Sequence, residues 1–158
     1  MNTNDYQKSI TVSRPANEVY AAITEHIRDW WSDDLSGAAA KKGDQFNIAF
    51  GATRKTFEIA EAIPGERVVW LCLKAHIDMA ELKRKDEWVG TRVIWTIAGN
   101  DSSTTLTLLH EGLNKSFECY DVCEPAWDYF IASLHAFLTT GSGAPYHKQE
   151  AKLALEDK

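Results

Sequence analysis

The sequence has no apolar run approaching the roughly 20 residues a helix needs to cross a bilayer, and its opening, MNTNDYQKS, lacks the basic-then-apolar order of a secretory signal. A cytoplasmic location is therefore expected, with no membrane insertion. Cysteine is scarce as well: Cys72, Cys119 and Cys123 are too few, and odd in number, for a disulfide framework. A reducing compartment would keep them as thiols. No basic excess exists, since 17 Lys and Arg face 23 Asp and Glu for a net charge of −6, and the longest basic cluster, Lys83-Arg84-Lys85, is flanked by Glu81 and Asp86-Glu87. Without a phosphate-tracking surface, nucleic acid is not expected as a partner. Also missing are a serine elbow, an H-E-x-x-H pair, a phosphate-binding glycine loop and a His/Asp partner set. No catalytic residue, metal ligand or cofactor site is assigned on that basis.

What the sequence does have is aromatic residues, with six Trp in 158 residues, inside an ordinary globular balance of 44% hydrophobic and 25% charged residues. That length suits one domain, and folding at this size removes about 70% of the unfolded surface from water.

Along the chain, Tyr6, Ile10 and Val12 keep the period of a half-buried strand. Pro15 marks a helix start, Ala16, Val19, Tyr20 and Ile23 follow at helical spacing, and Ile27, Trp30 and Trp31 continue it, which predicts two short helices after the first strand. The SGAAAKKGD stretch then reads as a loop. From residue 44 the period becomes two, through Phe46, Ile48 and Phe50, then Phe57 and Ile59, then Val68, Trp70 and Cys72, then Val93, Trp95 and Ile97, then Leu106, Leu108 and His110. Turn chemistry at Gly51, Pro64-Gly65 and Gly99-Asn100-Asp101 makes these five strands an antiparallel meander. Residues 75–90 are long for a hairpin loop and predict either a lip over the sheet or a short extra helix. Trp127, Phe130, Ile131, Leu134, Phe137 and Leu138 then form one helical stripe closed by Gly141, with Pro125 placing either the start of that helix or a kink in it. The tail beyond is polar apart from a weak AKLAL pattern.

Cys119, Cys123 and Trp127 share one helical face. A zinc site commonly uses a C-x2-C pair among four ligands, whereas the spacing here is C-x3-C, and His110 and Cys72 would have to come from strands. A disulfide across one helical turn is geometrically awkward. A catalytic thiol needs an electropositive setting, which the flanking Glu118, Asp121 and Glu124 do not supply. Buried, unreactive thiols are the expectation. His110, at a strand end, reads as an internally hydrogen-bonded histidine, with a general acid or base as the alternative. Asp29, Asp33 and Asp34 read as a solvated helix end.

The opening ITVSRPANEVYAAIT, the stretch TFEIAEAIPGERVVW, and the ending LTLLHEGL with AWDYFIASLHAFLTTGSGAP resemble the START-like helix-grip (SRPBCC) superfamily, and within it the heat-shock-ATPase activator homologue branch. The resemblance covers about residues 6 to 146. It implies an α+β helix-grip fold: a curved, six-stranded antiparallel sheet wrapped around a long C-terminal helix, in one domain over residues 1–146, with 147–158 as a polar tail. In such folds a cavity between sheet and helix often holds an apolar or amphipathic ligand. The resemblance thus implies a small apolar or aromatic partner, bound without catalysis, with Trp31, Phe46, Ile48, Phe57, Trp70, Trp95, His110, Cys123, Trp127, Phe130 and Ile131 as the expected ligand contacts. Its alternatives are a cyclase-like or hydrolase-like enzyme using His110, and a co-chaperone role. The namesake's co-chaperone action also uses a separate domain, so that role is not expected to carry over. A homodimer is compatible with all three.

Overall fold

The computed structural model describes residues 4–148. The chain runs β1 (Tyr6–Val12), α1 (Ala16–Thr24), a 3₁₀ turn (Ile27–Asp29), β2 (Leu35–Gly37), β3 (Gln45–Phe50), β4 (Thr53–Ile63), β5 (Arg67–His76), β6 (Arg92–Gly99), β7 (Thr104–Glu111) and α2 (Tyr120–Thr140). The sheet order is β1-β7-β6-β5-β4-β3-β2, antiparallel throughout, with the first strand closing on the last. Two register shifts in the β4–β5 pairing, at Thr56/Phe57 and Ile59/Glu61, bend the sheet.

The sheet has seven strands rather than the expected six. The extra strand, β2, pairs Leu35, Ser36 and Gly37 with Ile48, Asn47 and Phe46. Three residues are too few to display a period of two, so alternation could not reveal it. Gly37 also sits at φ +94°, and a Cβ there would collide with the backbone carbonyl of Gln45. Only glycine lets this edge close.

Alternation elsewhere sorts the sheet as expected. Phe46, Ile48, Phe57, Ile59, Val68, Trp70, Cys72, Val93, Trp95, Leu106, Leu108 and His110 point inward and are buried. Helix α1 buries Val19, Ala22 and Ile23 against β6 and β7, and the Trp30 indole N–H donates to Ala22 O at 2.8 Å, tying the 3₁₀ turn to the helix.

Helix α2 does not begin at Glu124. It runs unbroken from Tyr120 through Pro125, whose missing N–H leaves the Asp121 carbonyl without its helical donor, and it ends at Gly141 with φ +88°. Its first turn is held from outside: the Glu87 carboxylate accepts from the backbone N–H groups of Glu118 and Cys119, at 3.2 and 3.3 Å. Glu118 reciprocates, accepting from the N–H groups of Lys83 and Arg84 at 3.3 and 2.8 Å. These bonds fasten residues 77–91 as a lip without a helix, burying Ile77, Leu82 and Trp88.

After α2 the chain doubles back along the 3₁₀ turn. Tyr146 pairs with Ser32, its N–H reaching Trp31 O at 3.0 Å, and the Asp33 carboxylate accepts from His147 and from the Lys148 N–H. Asp33 is thereby held below the usual carboxylate range, first by the Lys148 backbone bond, so it anchors this return segment rather than only ending a helix. The remainder of the expected polar tail, 149–158, lies outside the described residues. Among those described, no helix is long and apolar enough to cross a membrane.

Candidate functional site

The long helix, the lip and the start of β4 meet only in part, at Trp88 with Cys123 and Trp127 and at Lys55 over the Trp88 ring. Between them lies a cavity of about 350 Å³, lined by Trp31, Phe50, Thr53, Lys55, Ile77, Met79, Trp88, Val122, Cys123, Ala126, Trp127, Phe130 and Tyr146. Its back is a stack of indoles. Trp31 and Trp127 lie 5.2 Å apart at 19°, and Trp127 and Trp88 lie 6.0 Å apart at 12°. Such offset pairs hold each other rigidly and leave flat apolar faces. Phe50, Phe130 and Tyr146 form a second aromatic group, with Phe50 at 5.5 Å from Phe130, 5.9 Å from Tyr146 and 5.7 Å from Trp31.

One lining residue does not suit an apolar chamber. Lys55 is only 8% exposed, and its Nζ stands 3.7 Å above the Trp88 ring and 5.6 Å from the Phe50 ring. Among the described residues, no carboxylate lines the cavity. Burial pulls the amine below the ordinary lysine range. The period of β4 places it there: Thr53, Lys55, Phe57 and Ile59 share the inward face. Reading the strand only from Phe57 onward hides the lysine, and carrying the same period back two residues finds it.

His110 lies behind the indole wall, fully buried, and does not line the cavity. Its neighbours fix its tautomer. An indole N–H can only donate, so Trp127 Nε1 donates to His110 Nδ1 at 3.1 Å, and Nε2 carries the proton. The Nε2–H donates to Thr91 Oγ1 at 2.9 Å, and that hydroxyl donates on to Trp88 O at 2.6 Å. Both ring nitrogens are engaged. Burial first, and the Lys55 charge second, push the imidazole down to about 3, so it stays neutral.

The thiols are all buried and free. Cys123 Sγ accepts from the Cys119 thiol, which holds its pKa below the ordinary thiol range, with the Lys55 charge and the Trp88 indole N–H at 3.3 Å adding to the effect. Cys119, the donor in that pair, is pushed up. Cys72 donates to Lys74 O at 3.4 Å and is pushed up to about 12, chiefly by burial. The sequence around α2 is acidic, but Lys55 arrives from β4 and gives Cys123 a cationic neighbour that local sequence could not show. Among the described residues, no three His, Cys, Asp or Glu side chains converge as a metal site.

Of the expected contacts, the cavity brings together Trp31, Cys123, Trp127 and Phe130. Phe46, Ile48, Phe57, Trp70 and Trp95 are packed beneath it at no more than 1% exposure, Ile131 faces the sheet one turn further along α2, and His110 is held as described. Sequence reasoning missed Phe50, Lys55, Trp88 and Tyr146 as wall residues. Trp88 and Tyr146 come from irregular segments that carry no period.

A curved antiparallel sheet gripping a long C-terminal helix defines a START-like helix-grip protein. Residues 13–139 match the family described as Activator of Hsp90 ATPase homolog 1-like protein, and the chain belongs to it. The fold is similar to that of the Aha1 dimer from Colwellia psychrerythraea, at a TM-score of 0.70 and 23% identity over 88% of this chain and 98% of that one. It is similar also to DynU16 from the dynemicin biosynthetic locus, at a TM-score of 0.69 and 23% identity over 94% of this chain and 52% of that one. CalU16 from Micromonospora echinospora gives a TM-score of 0.63 and 16% identity over 95% of this chain and 81% of that one. At these identities the likeness concerns the fold. No curated protein matches the sequence.

Proposed function

We propose that this chain binds a small apolar or aromatic molecule in the cavity beside α2, without transforming it. The observation that carries this reading is the cavity itself: a core otherwise filled by interlocking rings leaves about 350 Å³ open against three stacked tryptophans. Ligand pockets run from about 300 to 1,000 Å³, with apolar walls and few polar groups. Trp31, Trp88 and Trp127 form the flat wall, Phe50, Phe130 and Tyr146 a second aromatic group that adjoins it at Trp31, and Lys55 and Cys123 are polar contacts.

The absence of turnover rests on His110. A general base needs a free nitrogen within reach of the substrate, and both of its nitrogens are engaged behind Trp127. That geometry favours binding over an acid or base role for His110.

Intrinsic fluorescence tests the reading, because three of the six tryptophans line the cavity. Apolar and aromatic compounds should change the emission saturably and raise the melting temperature. Ala126 lies at the exposed mouth, so Ala126→Phe should plug it, abolishing both effects while the far-UV circular dichroism stays unchanged. Absence of any response across such a screen overturns the proposal. The Colwellia dimer supports a homodimer here too, and light scattering giving twice the chain mass is the expected result.

A further inference from the structure

We propose that the ligand carries a carboxylate, and that Lys55 is the residue that receives it; the proposal rests on the cavity being a ligand site. Lys55 is the one charged side chain among the lining residues. It enters no hydrogen bond or ion pair among the described residues, and its only polar-type contacts are with the faces of Trp88 and Phe50.

That state is costly for the empty protein. Buried charges are ordinarily paired and hydrogen-bonded, and an unpaired one is neutralised or expelled. A lysine usually escapes by extending its flexible stem to water, but here Lys55 stays 92% covered, held 3.7 Å over the Trp88 ring. The indole face attracts the ammonium from one side and offers no acceptor. The remaining donor directions are left for an incoming group.

No described residue fills that place. The acids that join the lip to α2 are occupied elsewhere: Glu87 on the N–H groups of Glu118 and Cys119, Glu118 on those of Lys83 and Arg84. The thiols offer no substitute. Cys123 is turned to Trp88 and Cys119, and Cys72 to Lys74 O. His110 is sealed behind Trp127. An acid whose apolar body lies on the stacked indoles can set one oxygen on Lys55 Nζ, pairing the charge inside a water-poor chamber where such a bond is short and strong. The class this defines is an aromatic or alicyclic monocarboxylic acid, with the acid group entering first.

Calorimetric titration separates the possibilities with one apolar body and three head groups: 2-naphthoate, 2-naphthamide and methyl 2-naphthoate. The wild type should bind the acid at least tenfold more tightly than the amide or the ester. In Lys55→Met that ratio should fall to within about twofold, and Lys55→Arg, which keeps a charge, should retain an acid preference; circular dichroism checks the fold of each. Equal affinities for the three compounds in the wild type, or a preference that survives in Lys55→Met, overturns the assignment of Lys55 while leaving the cavity as a ligand site. If none of the three binds, and the Ala126→Phe screen is also silent, the cavity reading itself falls and this proposal falls with it.

Discussion

Replacing Trp127 by phenylalanine tests whether the indole N–H, and not only the ring, holds the interior together. The side chain loses two carbons and one nitrogen. At about 0.8 kcal/mol per buried carbon, the apolar part costs about 1.6 kcal/mol, with little added for a void because the ring already borders the cavity. The nitrogen costs more than its size suggests. Its loss leaves His110 Nδ1 as a buried acceptor with no donor, a penalty of roughly 1 to 3 kcal/mol. The total is about 2.6 to 4.6 kcal/mol. The two contributions separate in the His110→Leu background, where the acceptor is gone and Thr91 still donates to Trp88 O. There Trp127→Phe should cost only the apolar part. Urea unfolding, followed by far-UV circular dichroism on the four proteins of this cycle, measures the difference. Equal costs in the two backgrounds, to within about 0.5 kcal/mol, would refute the argument that this hydrogen bond matters.

Lys55→Met removes a buried amine without a partner and should stabilise the empty protein by roughly 1 to 3 kcal/mol, less whatever the contact with Trp88 contributes; a lower urea midpoint would contradict this. His110 titrates at about 3 when folded against an ordinary 6.5 when unfolded, so between those values the unfolded chain binds more protons. Stability should therefore fall on acidification below pH 6.5, by up to about 1.4 kcal/mol per pH unit from this group, and His110→Gln should flatten that slope in urea titrations run at pH 7, 6 and 5. Glu87→Ala should cost about 1 kcal/mol by uncapping α2, and should speed amide exchange at Cys119 and Glu118. Thiol labelling of the native protein should be slow at all three cysteines, since each is at most 5% exposed; rapid labelling of Cys123 would show that the lip opens.

The sheet and the long helix were legible because each buries one face over many residues, and a period of two or 3.6 survives in the sequence whenever burial is one-sided. Even Gly141 as a helix stop followed from its neighbours alone. β2 was not legible, because an edge strand of three residues leaves no pattern. The length of residues 75–90 left a lip and a short extra helix equally open, and Trp88 within them looked like any tryptophan of an irregular loop. Its place under Lys55 is set by Glu87 and Glu118 trading backbone bonds across the two segments, which no local pattern records. The candidate site divides the same way. Trp127 and Phe130 follow from the helical stripe and line the cavity, whereas Phe46, Trp70 and Trp95 share the inward face but do not line it. Depth along a curved sheet depends on register shifts such as those in the β4–β5 pairing, and a one-dimensional pattern assigns a face without assigning a depth.

Native mass spectrometry of the chain after incubation with apolar and aromatic acids addresses the central claim most directly, because it reports occupancy and chemistry together. The account predicts one ligand per chain, released on collisional heating with its mass unchanged, and no adduct with Ala126→Phe. An adduct undiminished in the plugged variant, a released molecule of altered mass, or no adduct at any ligand concentration would contradict it.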